Sequence, residues 1–430
     1  MRIRVIDMDA APFKNFREAM RAAAASLTDA PCREITLVHH NDTDGIAAGV
    51  ILRTSFLRAG FSVESIPIER VHPAFLPAIH TPERRLVLYA DLGGQAADAI
   101  CRHIPEGSRV IIIDHHLPAA DGFPRLRQIN PEQFGISGDS RCAAAAAACF
   151  FALALDGANE DQAALAVLGA VGDRQMTKGR CEGLNALLLD MAARRGDLRP
   201  FDTGDDTPWL FPRFGERNLR EVDRLINTLA VNGYYRRGAD LALDACMNGP
   251  DERILAFSRE MAAIERDRFS GEMARIRLEG LPREGRIVWT DVGERFYPLG
   301  LKAIGLFCEE IVRCGAMEGE LYMVGFQSFP GKNPYLGGFV GGETKVSFRV
   351  TPPLRRSIER GENPDLMQLV PGALRRVGGF ADACHRFVAA GTIPRERTEE
   401  LVALLASRAS AHHITCQAQT AGARQGRRGA

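Results

Sequence analysis

Residues 34–45 read EITLVHHNDTDG. The apolar run through Ile35–Val38 is rich in β-branched residues and reads as a strand over Glu34 to His39. It breaks at His40-Asn41-Asp42-Thr43-Asp44-Gly45, an acidic turn with a glycine, and a helical pattern follows from about Ile46 to Ala59. Working outward, Ser62 to Ile68 reads as a second strand, Arg85 to Ala90 (RLVLYA) as a third and Arg109 to Ile113 (RVIII) as a fourth. The last two are continuous apolar runs, the pattern of strands buried on both faces. A helix over Ala96 to His103 makes them a βαβ unit. This alternation predicts an α/β fold with a mainly parallel sheet. Residues 10–29 read as an amphipathic helix leading into it, and 141–200 as helices. The alanine-rich stretch Cys142 to Leu155 falls short of the ~18–20 residues that span a bilayer, so it is expected to be a buried helix.

Composition narrows the function classes. The chain has 430 residues, with 54 Lys+Arg balancing 54 Asp+Glu. Zero net charge argues against binding nucleic acid by bulk charge, so any phosphate handling must be local. Ten cysteines without a C-x-x-C pair exclude a zinc ribbon and a disulfide scaffold, and point to reduced thiols. With no apolar run at the N-terminus, a cytoplasmic location is expected.

Four acidic features fall where strands should end. They are the turn with His40, Asp42 and Asp44; Asp91 after RLVLYA; Asp114-His115-His116 after RVIII; and Asp173 in LAVLGAVGDR. Parallel strands carry the first three to one sheet edge, where ligands bind in such folds. Several carboxylates cannot all stay ionised in contact without cations. Oxygen ligands with one or two imidazoles suit Mn²⁺, Fe²⁺ or Zn²⁺, and the carboxylate excess leans toward Mn²⁺. Two metals ~3.5–4 Å apart suit in-line displacement at phosphorus. Taken singly, an Asp after a strand is more often a turn or cap residue; it is the combination that carries the signal.

Together these residues resemble the DHH phosphoesterase superfamily, whose motifs look like His40-x-Asp42-x-Asp44-Gly45, Asp91, Asp114-His115-His116 and Asp173. Further along, Gly378-Gly379-Phe380 through His385 to Ala389-Ala390-Gly391 resembles the glycine–histidine signature of the DHH-associated domain. Ser347-Phe348-Arg349 resembles the S-x-R segment of RecJ-like members, and Asn227 their connector motif. The resemblance implies a two-lobed protein: a catalytic domain over 1–200, a helical connector over 201–284, a smaller α/β associated domain over 285–410, and a disordered tail over 411–430. Thr203 to Phe214 is expected to be an exposed loop.

The resemblance also implies roles. His40, Asp42, Asp44, Asp91, His115 and Asp173 would hold two Mn²⁺ ions, or Mg²⁺ in their place, with Asp91 bridging. Asp114, His115 and His116 form the catalytic group, with His116 on the phosphate oxygens and Asp114 orienting an imidazole. Ser347, Arg349, Gly378, Gly379 and His385 would bind the substrate. The expected activity is that of a RecJ-like exonuclease, releasing mononucleotides from an end of single-stranded DNA or RNA. One alternative is a phosphoesterase for very short oligonucleotides, pAp or cyclic dinucleotides, favoured by the lack of a further module such as an OB-fold. Another is a non-catalytic RecJ-like scaffold. No membrane partner is expected.

Overall fold

The strand read first, β1 (Glu34–His40), sits inside a five-stranded parallel sheet and organises it. β2 (Ser62–Ile68), β3 (Leu86–Ala90), β4 (Arg109–Ile113) and β5 (Leu126–Ile129) complete the order β2-β1-β3-β4-β5. The computed structural model of the chain describes residues 11–28, 32–118, 122–201, 207–338 and 341–410. The tail 411–430 lies outside the described residues.

From β1 the chain steps to β2 on one side, then returns to place β3 on the other, so the order reverses beside β1. Register fixes what stands at that switch point. His39 pairs with Ala90 and Ala90 with Ile113, so His40, Asp91 and Asp114 emerge next to one another at the carboxyl edge. Alternation along the strands supplies two cores. Ile35, Leu37, Leu88 and Ile111 face α1 (Ala11–Thr28), α2 (Thr43–Arg58), α5 (Ala144–Leu155), α6 (Ala163–Gly172) and α7 (Gly183–Arg195). Val38, Val87, Tyr89 and Ile112 face α3 (Leu76–Ile79) and α4 (Ala97–Cys101). Small residues let α2, α5 and α6 approach closely: a Cβ on Gly169 would stand 2.5 Å from that of Ala145. No described helix is long and apolar enough to cross a membrane.

The stretch expected as an exposed loop is instead anchored in its described part, 207–214. Trp209–Leu210 (β7) pairs with Arg199–Pro200 (β6), and Phe211 and Phe214 are fully buried. Their aromatic area outweighs the turn signals of the neighbouring prolines. The helices α8 (Leu219–Asn227), α9 (Gly238–Asn248) and α10 (Glu252–Glu279) follow, with a π-turn at Thr228–Asn232.

The chain divides into two compact units, Met1–Met261 with Pro334–Gly338, and Ala262–Asn333 with Phe339–Ala430. The second has its own six-stranded sheet, β12-β13-β11-β10-β9-β8. Its strands are β8 (Arg283–Glu284), β9 (Ile287–Gly293), β10 (Tyr322–Ser328), β11 (Glu343–Val350), β12 (Phe380–Cys384) and β13 (Val388–Pro394). Only β9 and β10 pair in parallel, joined through α11 (Ala303–Arg313). The core between this sheet, α12 (Pro352–Glu359), α13 (Leu366–Arg376) and a final helix at 398–410 contains Val324, Phe348, Leu369 and Leu405.

Candidate metal centre

The acidic turn after β1 becomes a cap. Asp42 precedes α2 and accepts from Gly45 N at 3.1 Å, so its carboxylate is held at the sheet edge. Gly45 is needed there, since a Cβ would stand 2.4 Å from His40 O. His40 Nδ1 lies 3.0 Å from Asp42 Oδ2 and 3.2 Å from Asp91 Oδ2. These three residues form one group of potential metal ligands.

Asp91 is buried, and its backbone is left-handed at φ 63, tied down by Asp91 N donating to Ile113 O at 2.9 Å. Asp is among the few residues for which this region is common. Its other oxygen, Oδ1, points toward His115 Nε2 at 3.4 Å. Nε2 also lies 3.0 Å from Asp173 Oδ2 and 3.9 Å from Asp44 Oδ2. A second ligand group therefore comprises Asp44, His115 and Asp173, and a third comprises Asp91, His115 and His116. Asp91 belongs to two of the three groups, with one oxygen toward each side.

Neither Asp91 Oδ1 nor His115 Nε2 completes a hydrogen bond, although both are buried. The opposite ring nitrogen explains why. His115 Nδ1 is 2.8 Å from Gly138 O, an acceptor only, so Nδ1 carries a proton and Nε2 is the ring atom that faces the carboxylates. The charge balance is equally one-sided. Burial, with Asp173 and Asp91 nearby, pushes the Asp44 carboxyl well up; burial and then Asp42 raise that of Asp91. Burial opposes a charge on His115, yet Asp173 and Asp91 pull it well above the ordinary range. A divalent cation would displace a proton from His115 and satisfy Nε2 and the crowded oxygens together, so the donor set fits a metal.

Asp114 has a different task. Its Oδ1 accepts from His115 N at 2.8 Å and His116 Nδ1 at 2.8 Å, and its Oδ2 from Gly94 N at 2.9 Å. Burial opposes its ionisation, but His116 and these donors hold its carboxyl well below the usual range. It is a fixed anion that orients His116. Asp44 is likewise engaged: fully buried, it accepts from Ala144 N at 2.8 Å and Ala145 N at 2.9 Å, capping the start of α5.

Several supports carry no motif signal. Gly138 O takes a second bond from Gln175 Nε2 at 2.7 Å. Gln175 Oε1 accepts from Asn185 Nδ2 at 2.7 Å, and Asn185 Oδ1 from Ala143 N at 3.1 Å, back at the start of α5. Gly138 must be glycine, because a Cβ would lie 1.9 Å from His115 O. On the other side, Asp223 of α8 accepts from Thr43 Oγ1 at 2.6 Å and Asn227 Nδ2 at 2.7 Å, while Asn41 Nδ2 donates to Ala230 O at 3.0 Å in the π-turn. Asn227 thus steadies Asp223, which in turn holds Thr43 of the acidic turn. A buried Asn beside a motif was a usable sequence signal; Gln175 and Asn185 gave none.

In the second unit, Ser347 and Arg349 lie on β11. Ser347 is buried; Arg349 Nε donates to Glu309 Oε1 at 3.0 Å. Gly305 of α11 lies beside both, a Cβ there standing 2.9 Å from Arg349 Nη2 and 3.3 Å from Ser347 Oγ. His385 is exposed in the β12–β13 turn, its N donating to Val388 O at 2.8 Å, and Val388 pairs with Arg349 across β11–β13. Gly378 (φ 79) ends α13, and a Cβ on Gly379 would meet Thr392 O at 2.2 Å. Gly378 thus meets a backbone requirement and Gly379 a packing one.

Residues 34–172 match the DHH family, N-terminal domain. An uncharacterized protein of Methanocaldococcus jannaschii is 29% identical over 164 residues, 37% of this chain and 36% of that one, so the match spans about a third of the relative's length. Among solved structures, RecJ from Thermus thermophilus in complex with Mn²⁺ gives a TM-score of 0.62 at 17% identity, covering 91% of this chain and 55% of that one. An exonuclease RecJ bound to manganese gives 0.56 at 18%, covering 91% and 94%. CDC45 from Entamoeba histolytica gives 0.52 at 11%, covering 93% and 98%. At these identities the structures speak to fold alone. The matched span contains the five strands and all but the last of the acidic motifs, so residues 34–172 are similar to the DHH N-terminal domain, and the chain has a RecJ-like fold.

Proposed function

We propose that the chain is a metal-dependent phosphodiesterase that cleaves single-stranded nucleic acid from an end. The observation that carries this reading is the buried His115 Nε2, which completes no hydrogen bond and faces three carboxylates, with Asp91 shared between neighbouring ligand groups. His40, Asp42 and Asp91 would hold one divalent cation; Asp91, His115 and Asp173 would hold a second, with Asp44 alongside. Mn²⁺ suits the set, and Mg²⁺ is the alternative. Such a pair, when bound, supplies Lewis acidity at phosphorus and lowers the pKa of a water.

The remaining work falls to the chain. Gly138 O fixes the His115 tautomer, and Asp114 keeps His116 oriented and charged, since burial opposes the proton but the Asp114 carboxylate raises its pKa. His116 is half-buried and is the group that would contact a non-bridging phosphate oxygen. Arg349, Ser347 and His385 would bind further phosphate and sugar, which the family resemblance supports. RecJ-like neighbours favour a strand substrate over pAp or cyclic dinucleotides.

The test is a panel of 5′- and 3′-blocked DNA and RNA single strands with Mn²⁺, Mg²⁺ and Zn²⁺, run on the wild type, Asp91→Ala and Asp114→Ala. Losing one metal-bridging carboxylate or the His116 orienter is expected to lower kcat by at least ~100-fold. Undiminished cleavage by both variants sinks the assignment.

A further inference from the structure

Asp173 and Gln175 both have places in the site just described; the residue between them has none. Arg174 adopts φ 58, the left-handed region that non-glycine residues enter only at a cost. The conformation is locked from both sides. Arg174 N donates to Val171 O at 3.0 Å and Gln175 N to Ala170 O at 2.7 Å, closing α6 in the way that usually calls for glycine. The side chain is exposed and makes no hydrogen bond or ion pair among the described residues. Elsewhere in the same unit arginines beside acids are paired, as in Arg58–Asp161 and Arg237–Asp240. Arg174 lies within electrostatic reach of Asp223 on α8: burial and Asp42 raise that carboxyl, opposed by the Thr43 hydroxyl, Arg174 and Arg220.

The same segment carries two more exposed cations, Lys178 (φ 49) and Arg180. Its turn is rigid. Thr177 N donates to Arg180 O at 2.9 Å and Arg180 N to Thr177 O at 3.0 Å, while Trp209 Nε1 donates to Gly179 O at 2.9 Å. A short, pinned, basic turn thus begins at a metal-ligand candidate.

We propose that Arg174 is a substrate-contacting residue, its guanidinium binding a phosphate of the nucleic-acid strand adjacent to the one held at the acidic cluster. Lys178 and Arg180 are then available to phosphates further along. The inference rests on the phosphodiesterase reading and deepens it: the substrate class is a strand with several phosphodiesters. The chemistry is direct. A phosphate approaching Asp42, Asp91 and Asp173 needs compensating charge beyond the metals, and a planar guanidinium can grip two phosphate oxygens at once. The charge is mounted on backbone that cannot swing away.

The left-handed backbone makes the test clean, because glycine is the unstrained residue at this position. Arg174→Gly, Arg174→Lys and wild type are compared as full chains. For Arg174→Gly the unfolding midpoint is expected to equal or exceed wild type, and Mn²⁺ affinity to stay within about twofold, since no ligand changes. The KM for a long single strand rises about tenfold, and the salt slope of equilibrium strand binding falls by about one. Arg174→Lys keeps the salt slope. An Arg174→Gly protein with unchanged KM and salt slope overturns the proposal, as does one whose weaker binding comes with a lowered midpoint. If the wild type hydrolyses nothing with any divalent metal, the phosphodiesterase reading fails by itself, and the salt slope still decides whether Arg174 touches a strand.

Discussion

Asp44 and Asp91 stand in the same cluster and are both buried, yet their chemistry differs. Asp44 gives both oxygens to the first N–H groups of α5. Asp91 leaves Oδ1 without a hydrogen bond beside other carboxylates. Removing the first strands two buried donors at a helix start; removing the charge of the second relieves repulsion. In metal-free protein, Asp44→Ala is therefore expected to lose about 2 kcal/mol or more. Asp91→Asn, which keeps the shape and tolerates a positive φ, is expected to stay within about 1 kcal/mol of wild type or to exceed it. Urea titrations in EDTA measure both; a large loss for Asp91→Asn would mean that its carboxylate is structural. The sequence told that these acids share a sheet edge, because each follows an apolar strand. It could not tell which acid is free to meet a cation and which caps a helix, since that depends on α5 and Gly138 arriving from distant parts of the chain.

At the scale of elements, legibility followed burial pattern. The strands β3 and β4 are almost wholly buried and read as apolar runs. β5 was missed because it is a four-residue edge strand, LRQI, in which Arg127 is exposed. The helices α12 and α13 carry Pro352, Pro353 and Pro371, which break the helical signal although the first two stand at an N-terminus that tolerates them. α3 is a single turn that no periodicity could show. Its end is fixed by His80, buried, with Nε2 2.8 Å from Tyr89 Oη of β3. Burial first, then His103 and Arg84, lower the His80 pKa to about 4. The unfolded chain, with an ordinary histidine near 6.5, takes up the proton first. The neutral ring's contribution is therefore complete above about pH 6.5 and is lost as pH falls toward 4, by up to ~3 kcal/mol. His80→Gln offers Tyr89 an acceptor without a titrating ring. Its stability is expected to fall less steeply than that of wild type between about pH 6.5 and 4; parallel curves would show that the His80 pKa does not differ between the folded and unfolded states.

At the scale of the molecule, zero net charge is compatible with the proposed phosphate site. The acids are concentrated where the sheet order reverses, and a basic turn begins at Asp173, so the balance is local while the total cancels. The first unit therefore folds with like charges pressed together, and a ligand that removes that repulsion must stabilise it. Binding only the folded state adds RT ln(1 + [L]/Kd), about 2.7 kcal/mol at a hundredfold excess over Kd. For a unit of this size each kcal/mol moves the midpoint by about 2–4 °C, so near-saturating Mn²⁺ is expected to raise it by roughly 5–10 °C. EDTA should reverse the shift. Asp91→Asn should abolish it, because both ligand groups that share Asp91 lose a charged oxygen. Amide protection should rise around residues 40–46, 91–94, 114–116 and 173–175, where the ligand-bearing turns lie. If neither Mn²⁺ nor Mg²⁺ moves the midpoint of the wild type, the crowding of Asp44, Asp91 and Asp173 is relieved by the protonated His115 alone, and the cluster is not a metal centre.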